Sequence, residues 1–164
     1  MEDFRRKARL VAGGHGTESP ATITYASLVS RETLRIDLMF DDLNELPVKV
    51  SDIHNAYITA HVTEKIWTAL GQEFGEDAGR KDIVVCNLYG LKSAGTAFRN
   101  HLSYCMNHLG FLLCPAVLYL WMNPMVRPQD GFDYYAYVLI YVDDLMVIHN
   151  DADSVLQRID NSLS

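Results

Sequence analysis

Two adjacent carboxylates, Asp143 and Asp144, interrupt an otherwise apolar, aromatic and β-branched run from Tyr134 to His149. No other feature limits the fold as tightly. Tyr137-Val138-Leu139-Ile140 before the pair and Leu145-Met146-Val147-Ile148 after it read as strands, which makes the acidic pair the tip of a hairpin. The two charges repel each other there and gain no burial. Acidic residues in hairpins usually serve turn chemistry alone. The sharper reading is that a divalent cation offsets the repulsion, because hard Mg2+ seeks carboxylate oxygens. A two-metal site also needs carboxylates from separate segments, converging on ions about 3.5–4 Å apart.

A second segment supplies a distant partner for the pair. After Pro47, Val48-Lys49-Val50-Ser51-Asp52 alternates as a strand and puts Asp52 on the face of Val48 and Val50. A carboxylate on an apolar face needs a reason. The plainer account ends the strand at Ser51 and makes Asp52 the cap of the next segment.

The rest of the chain reads as one domain of mixed elements. Residues 4–12 mix basic and apolar positions and stop at Gly13-Gly14-His15-Gly16, as a strand running into a loop does. Four Lys or Arg within residues 5–9 form the only basic cluster, so they are either a solvated edge strand or the place where phosphate is held. Ser30 caps an expected helix over 31–44, and Asp41, Asp42 and Glu45 near its end read as surface charge. Residues 71–82 are Gly-rich and polar and read as a loop; Ile83 to Leu88 then reads as an apolar strand leading into the turn Tyr89 to Gly95. Phe98, Leu102, Cys105, Met106 and Leu109 make one apolar stripe of a helix over 96–109, which Gly110 stops.

Composition narrows the function. The chain has 164 residues, 49% of them hydrophobic, enough for one core, and its net charge of −7 rules out a bulk basic footprint for nucleic acid. Any phosphate contact must be local. Three cysteines without a C-x-x-C suggest neither a disulfide framework nor a zinc knuckle, and the six histidines lack metal-ligand spacing. The apolar run Phe111 to Met122 is twelve residues long and broken by Pro115, which is core length and too short to cross a bilayer. The N-terminus lacks an apolar leader stretch, so the expected setting is intracellular, cytoplasmic or nuclear. Trp67 and Trp121 read as core anchors and Cys105 as a buried thiol.

Taken together, Tyr141-Val142-Asp143-Asp144, Val50-Ser51-Asp52-Ile53-His54-Asn55-Ala56-Tyr57 and Leu88-Tyr89-Gly90-Leu91-Lys92 resemble the reverse transcriptase of copia-like retrotransposons. Lys7 to Ala12 resembles that family's fingers strand, Tyr25 to Val29 with Arg31 to Arg35 its following helix, and Glu64 to Trp67 the segment after the first catalytic motif. The likeness runs from about residue 7 to residue 150.

The resemblance implies an α+β fold: a polymerase palm-type antiparallel sheet with helices on one face, part of the fingers, and no thumb. Residues 1–46 would be fingers-like and 47–164 palm-like. Asp52, Asp143 and Asp144 would be the catalytic carboxylates and would hold two Mg2+ ions, a role Mn2+ can also fill. Tyr57 would block a ribose 2′-hydroxyl, Lys7 and Arg9 would meet the incoming triphosphate, and Tyr89, Gly90, Lys92 and Tyr141 would complete the substrate pocket. The implied partners are an RNA template, a DNA primer, deoxynucleoside triphosphates, and the thumb and RNase H regions of a longer polyprotein. No membrane partner is implied. Ser93, Gly95 and Phe98 stand where the general pattern has Gln, Pro and Trp, and Gly13 replaces a basic residue. Two other readings stay open: a catalytically inactive retroelement remnant that binds nucleic acid or protein, and a different palm-type two-metal nucleotidyl enzyme.

Overall fold

A computed structural model describes residues 10–14, 35 and 45–164. The expected helix over 31–44 lies outside the described residues apart from Arg35, as do Lys7 and Arg9.

The apolar segments form a five-stranded antiparallel sheet. Its strands are β1 (Val48–Asp52), β4 (Leu112–Leu113), β5 (Leu120–Val126), β6 (Asp133–Tyr141) and β7 (Asp144–Ile148), in the spatial order β1-β7-β6-β5-β4. A separate two-stranded ribbon pairs β2 (Trp67–Ala69) with β3 (Lys81–Ile83). Among the described residues two helices pack with these strands, α1 (Ala94–His108) and α2 (Ala152–Leu163).

Register assigns each side chain to a face. Val138 stands opposite Val147 and Ile140 opposite Leu145, and this face packs against Phe98, Leu102 and Met106 of α1 and Val155 and Ile159 of α2. Leu139 stands opposite Met146 and Tyr137 opposite Ile148 on the other face, together with Leu120 and Leu46. Each fully buried side chain of this size contributes about 1.5–3 kcal/mol. The exposed ion pair from Lys49 to Asp153, at 2.6 Å, ties β1 to α2 and is worth under about 1 kcal/mol. Apolar packing therefore fixes the helices on the sheet.

The helix ends have local causes. Asp151 Oδ1 accepts from Ser154 N at 3.1 Å and caps α2. At the far end of α1, Gly110 N donates to Asn107 O and Phe111 N donates to Met106 O, both at 3.0 Å, the Schellman pattern, and Phe111 is buried in the core just beyond.

Several expectations need correction. The Gly-rich stretch 71–82 is not all loop: two short 3-10 turns within Gln72–Asp77 lead to β3, whose first residue is Lys81. Ile83 to Leu88 is not a continuous strand; among the described residues Val84 to Leu88 holds one isolated bridge, from Cys86 to His61. Trp67 is not a core anchor, being 60% exposed on the ribbon, whereas Trp121 is buried as expected. The helix α2 is an element that the sequence reading does not anticipate. It takes its place on the sheet beside α1. Pro124 sits within β5 without cost, because β4 pairs only with Trp121 and Met122 and leaves that edge open.

Candidate active site at the β6–β7 turn

The hairpin tip holds two residues, Val142 and Asp143, since Tyr141 pairs with Asp144 across it. Asp144 therefore begins β7 rather than lying in the turn. Val142 adopts φ +59°, at a turn position that glycine usually fills. A β-branched residue in that region stores about 1–2 kcal/mol, which the surrounding strands must hold in place.

Strand pairing brings the third carboxylate to the first two. Asp52 ends β1 directly opposite Asp144, and Ile53 N donates to Asp143 O at 2.7 Å just beyond. That bond makes Ile53 and Asp143 a hydrogen-bonded pair, so Asp52 and Asp144 form a non-hydrogen-bonded pair with Cα atoms about 4.5 Å apart. Both carboxylates lie on the face of Val48, Met146 and Ile148, opposite the helices. Asp52 and Asp144 are exposed and Asp143 is half-buried. The backbone thus brings the three carboxylate-bearing residues near one another, while among the described residues no group of three or more His, Cys, Asp or Glu is arranged to hold a metal ion. The donor set itself, all carboxylate oxygen and open to solvent, suits a hard cation that keeps some of its water.

An aromatic cluster flanks the turn. Tyr57 lies in a 3-10 turn, Ala56–Thr59, which Asn55 enters in the left-handed region at φ +56°. The Tyr57 ring is 4.6 Å from that of Tyr89 and 5.9 Å from that of Phe98, centroid to centroid. Burial raises the Tyr57 phenol above its ordinary pKa, and the negative charge of Asp143 and the Tyr89 ring add to the shift. The phenol therefore stays protonated. An apolar cavity of about 110 Å3 opens beside the cluster, lined among others by Tyr57, Phe98, Trp121, Ile140 and Val142.

Of the residues expected at the site, Asp52 pairs with Asp144, Asp143 adjoins them in the turn, and Tyr57 packs against Tyr89 within electrostatic reach of Asp143. Tyr141 pairs with Asp144 and is 48% exposed at the mouth of the turn. Gly90 follows Tyr89 at φ +94°, and Lys92 is exposed two residues on. Lys7 and Arg9 lie outside the described residues, but Leu10–Gly14, directly after them, runs along this segment: Val11 bridges Tyr89 in parallel and Ala12 N donates to Tyr89 O at 2.7 Å.

Sequence reading missed Asn87. Its side chain is fully buried and Nδ2 donates to Ala60 O at 3.1 Å and His61 O at 2.8 Å, tying the segment before Tyr89 to the one after Tyr57. A lone amide between Cys86 and Leu88 in an apolar stretch was the available signal. Phe98 belongs to the core stripe, as its spacing implies, and is also one wall of the Tyr57 cluster.

Residues 1–163 match the family model described as reverse transcriptase (RNA-dependent DNA polymerase). The chain is 28% identical over 153 residues to the retrovirus-related Pol polyprotein from transposon RE2 of Arabidopsis thaliana, covering 90% of this chain and 10% of that protein. It is 28% identical over 163 residues to the corresponding polyprotein from transposon RE1 of the same plant, covering 96% of this chain and 11% of that protein. The chain thus spans about a tenth of the length of these relatives. No solved structure matches it at a significant level. Among the described residues no helix is long and apolar enough to cross a membrane. The matched span takes in both β1 and the β6–β7 turn, so the carboxylates and the aromatic cluster sit inside it, and the chain belongs to the reverse transcriptase (RNA-dependent DNA polymerase) family.

Proposed function

We propose that this chain is the catalytic part of an RNA-directed DNA polymerase of a copia-like retrotransposon, adding deoxynucleotides to a primer 3′-hydroxyl. The register that sets Asp52 opposite Asp144, with Asp143 in the adjoining turn, is the observation that supports it. In this reading residues 47–164 are palm-like and 1–46 fingers-like, within a longer polyprotein that supplies a thumb and an RNase H region.

Asp52, Asp143 and Asp144 would hold Mg2+, or Mn2+ in its place, which would supply Lewis acidity toward the primer hydroxyl and neutralise charge on the triphosphate. The chain's own residues do the positioning. The strained Val142 holds the Asp143 carboxylate at the tip, and β1 and β7 hold the other two on one face. Tyr57, buttressed by Tyr89 and Phe98, fills the space a ribose 2′-hydroxyl would need and so selects deoxynucleotides. Lys7 and Arg9 meet the triphosphate, while Tyr89, Gly90 and Lys92 line the pocket for nucleotide and template and Tyr141 borders its mouth.

Primer extension on an annealed RNA template, with Mg2+ and deoxynucleotides, tests the reading. Extension by the parent chain that Asp143→Asn abolishes is the expected result. A folded parent that extends no more than Asp143→Asn, alone and when joined to downstream polyprotein sequence, overturns it in favour of an inactive remnant. Equal use of ribonucleotides would favour another palm-type nucleotidyl enzyme.

A further inference from the structure

Two backbone segments cross beside the aromatic cluster with no room for a side chain at either crossing. A Cβ on the buried Gly14 would lie 1.9 Å from Gly90 O and 2.9 Å from its carbonyl carbon. A Cβ on Gly90 would lie 2.2 Å from Ala12 O and 2.9 Å from Val11 Cγ1, and at φ +94° Gly90 already occupies backbone space that other residues avoid. The closest obstacles are main-chain atoms, which no rotamer change can move. Between the two crossings Ala12 N donates to Tyr89 O at 2.7 Å, and Gly14 N donates to Ala12 O at 2.9 Å. The segment 10–14 is therefore locked onto the backbone of the residue whose ring packs, tilted by 50°, against that of Tyr57 at 4.6 Å between centroids.

From this geometry we propose that Gly14 and Gly90 are positioning residues for Tyr57, acting through Tyr89, and that they set how sharply the site separates deoxy- from ribonucleotides. The proposal rests on the reading of Tyr57 as the sugar-selecting residue. Asn87 already anchors the other side of Tyr89 to Ala60 and His61, so displacement at the glycine crossing is not shared along the chain and falls on Tyr89 itself. A methyl group at Gly14 needs a carbon-to-oxygen separation near about 3.5 Å, so one segment must give by roughly 1.5 Å. Misplacement of about 1 Å by a change remote from the chemistry can cost about a hundredfold in rate. Here the loss appears as selectivity, because the displaced group fills space next to the sugar rather than holding the reacting atoms.

The test compares the parent chain with Gly14→Ala and Gly90→Ala in single-nucleotide extension, using dATP and ATP separately, with 3-fluorotyrosine placed at position 57. At least a tenfold fall in the deoxy-to-ribo ratio of kcat/KM, carried mainly by KM, with a moved fluorine resonance, is expected. A loss of rate that is equal for both sugars, as general destabilisation would give, overturns the proposal and leaves the polymerase reading intact. If the parent, alone and joined to downstream polyprotein sequence, shows no extension above Asp143→Asn, the polymerase reading fails, and an unmoved fluorine resonance in Gly14→Ala would then overturn the positioning as well. Should both variants fail to fold, amide exchange in the parent decides: Ala12 N is expected to be protected at least tenfold, and exchange at the rate of an open chain refutes the crossing.

Discussion

Neutralising Asp144 should stabilise the protein without divalent ions and destabilise it, relative to the parent, with them. Asp52 and Asp144 face each other in a non-hydrogen-bonded pair, the arrangement that brings opposed side chains closest. Like charges directly opposite on a sheet are unfavourable by roughly 0.2–1 kcal/mol. Both side chains are exposed, so solvent screening keeps the effect near the lower half of that range, about 0.5 kcal/mol. For a domain of this size that is about 1–2 °C in the unfolding midpoint. Asp144→Asn should melt higher than the parent by this amount in EDTA. Mg2+ at ten times its dissociation constant should stabilise the parent by about 1.4 kcal/mol, or about 3–6 °C, and the variant by little. The order of the two midpoints then inverts as Mg2+ is titrated. Thermal unfolding followed by circular dichroism across an Mg2+ series reads this directly. A variant less stable than the parent in EDTA, or one that gains as much from Mg2+, would refute the argument from register.

Other perturbations test the supports of the site. Asn87→Ala removes the buried hydrogen bond to Ala60 O and the partly buried one to His61 O and should cost about 2 kcal/mol, seen as a lower urea midpoint; an unchanged midpoint would show that the amide ties nothing together. Val142→Gly relieves a left-handed β-branched residue but frees the unfolded chain, for a net gain of about 0.5 kcal/mol in unfolding free energy together with slower primer extension. A clear loss of stability would mean that Val142 is not strained. Burial holds the His149 imidazole below its ordinary pKa and the Arg158 charge lowers it further, against the opposing charge of Asp151. The folded state therefore prefers the neutral ring, whose Nδ1 accepts from Asp151 N at 2.8 Å. This contribution is complete above the unfolded value of about 6.5 and is lost as pH falls through the lower folded value. Stability should drop on acidification below about pH 6.5, and His149→Gln should flatten that part of the profile; a parallel profile would remove His149 from the account.

How much of this was legible in the sequence varied with the range of the interaction. The β6–β7 hairpin announced itself because its apolar runs are long and the only break is acidic. Strand β1 and helix α1 followed from local alternation and a 3.6-residue stripe in the same way. Strand β3 did not, because Lys81-Asp82-Ile83 has no apolar pattern and exists as a strand only through pairing with Trp67–Ala69. That pairing also explains why Trp67 stands outside the core, on a ribbon separate from the main sheet. Helix α2 was missed although its signals are local: Asp151 caps it, and Ala152, Val155, Ile159 and Leu163 line one buried face. Its twelve residues directly follow the long apolar hairpin, whose stronger pattern masks the start of a new period.

The site divides along the same line. Asp143 and Asp144 are adjacent, so their chemistry could be read locally. Asp52 could be named as a partner but not paired, since register across β1 and β7 is a property of the folded sheet. The Tyr57, Tyr89 and Phe98 cluster, and the crossing of Gly14 with Gly90, join segments far apart in the chain. No local pattern marks a place where two backbones must touch.

The most direct measurement of the central claim is Mn2+ binding followed by electron paramagnetic resonance, for the parent and for Asp52→Asn, Asp143→Asn and Asp144→Asn. If one site is built from all three carboxylates, the parent binds Mn2+ in competition with Mg2+, and each substitution weakens binding by about tenfold or more. Parent-like Mn2+ binding in all three variants would contradict the claim, as would a folded parent that holds no Mn2+ at millimolar concentration.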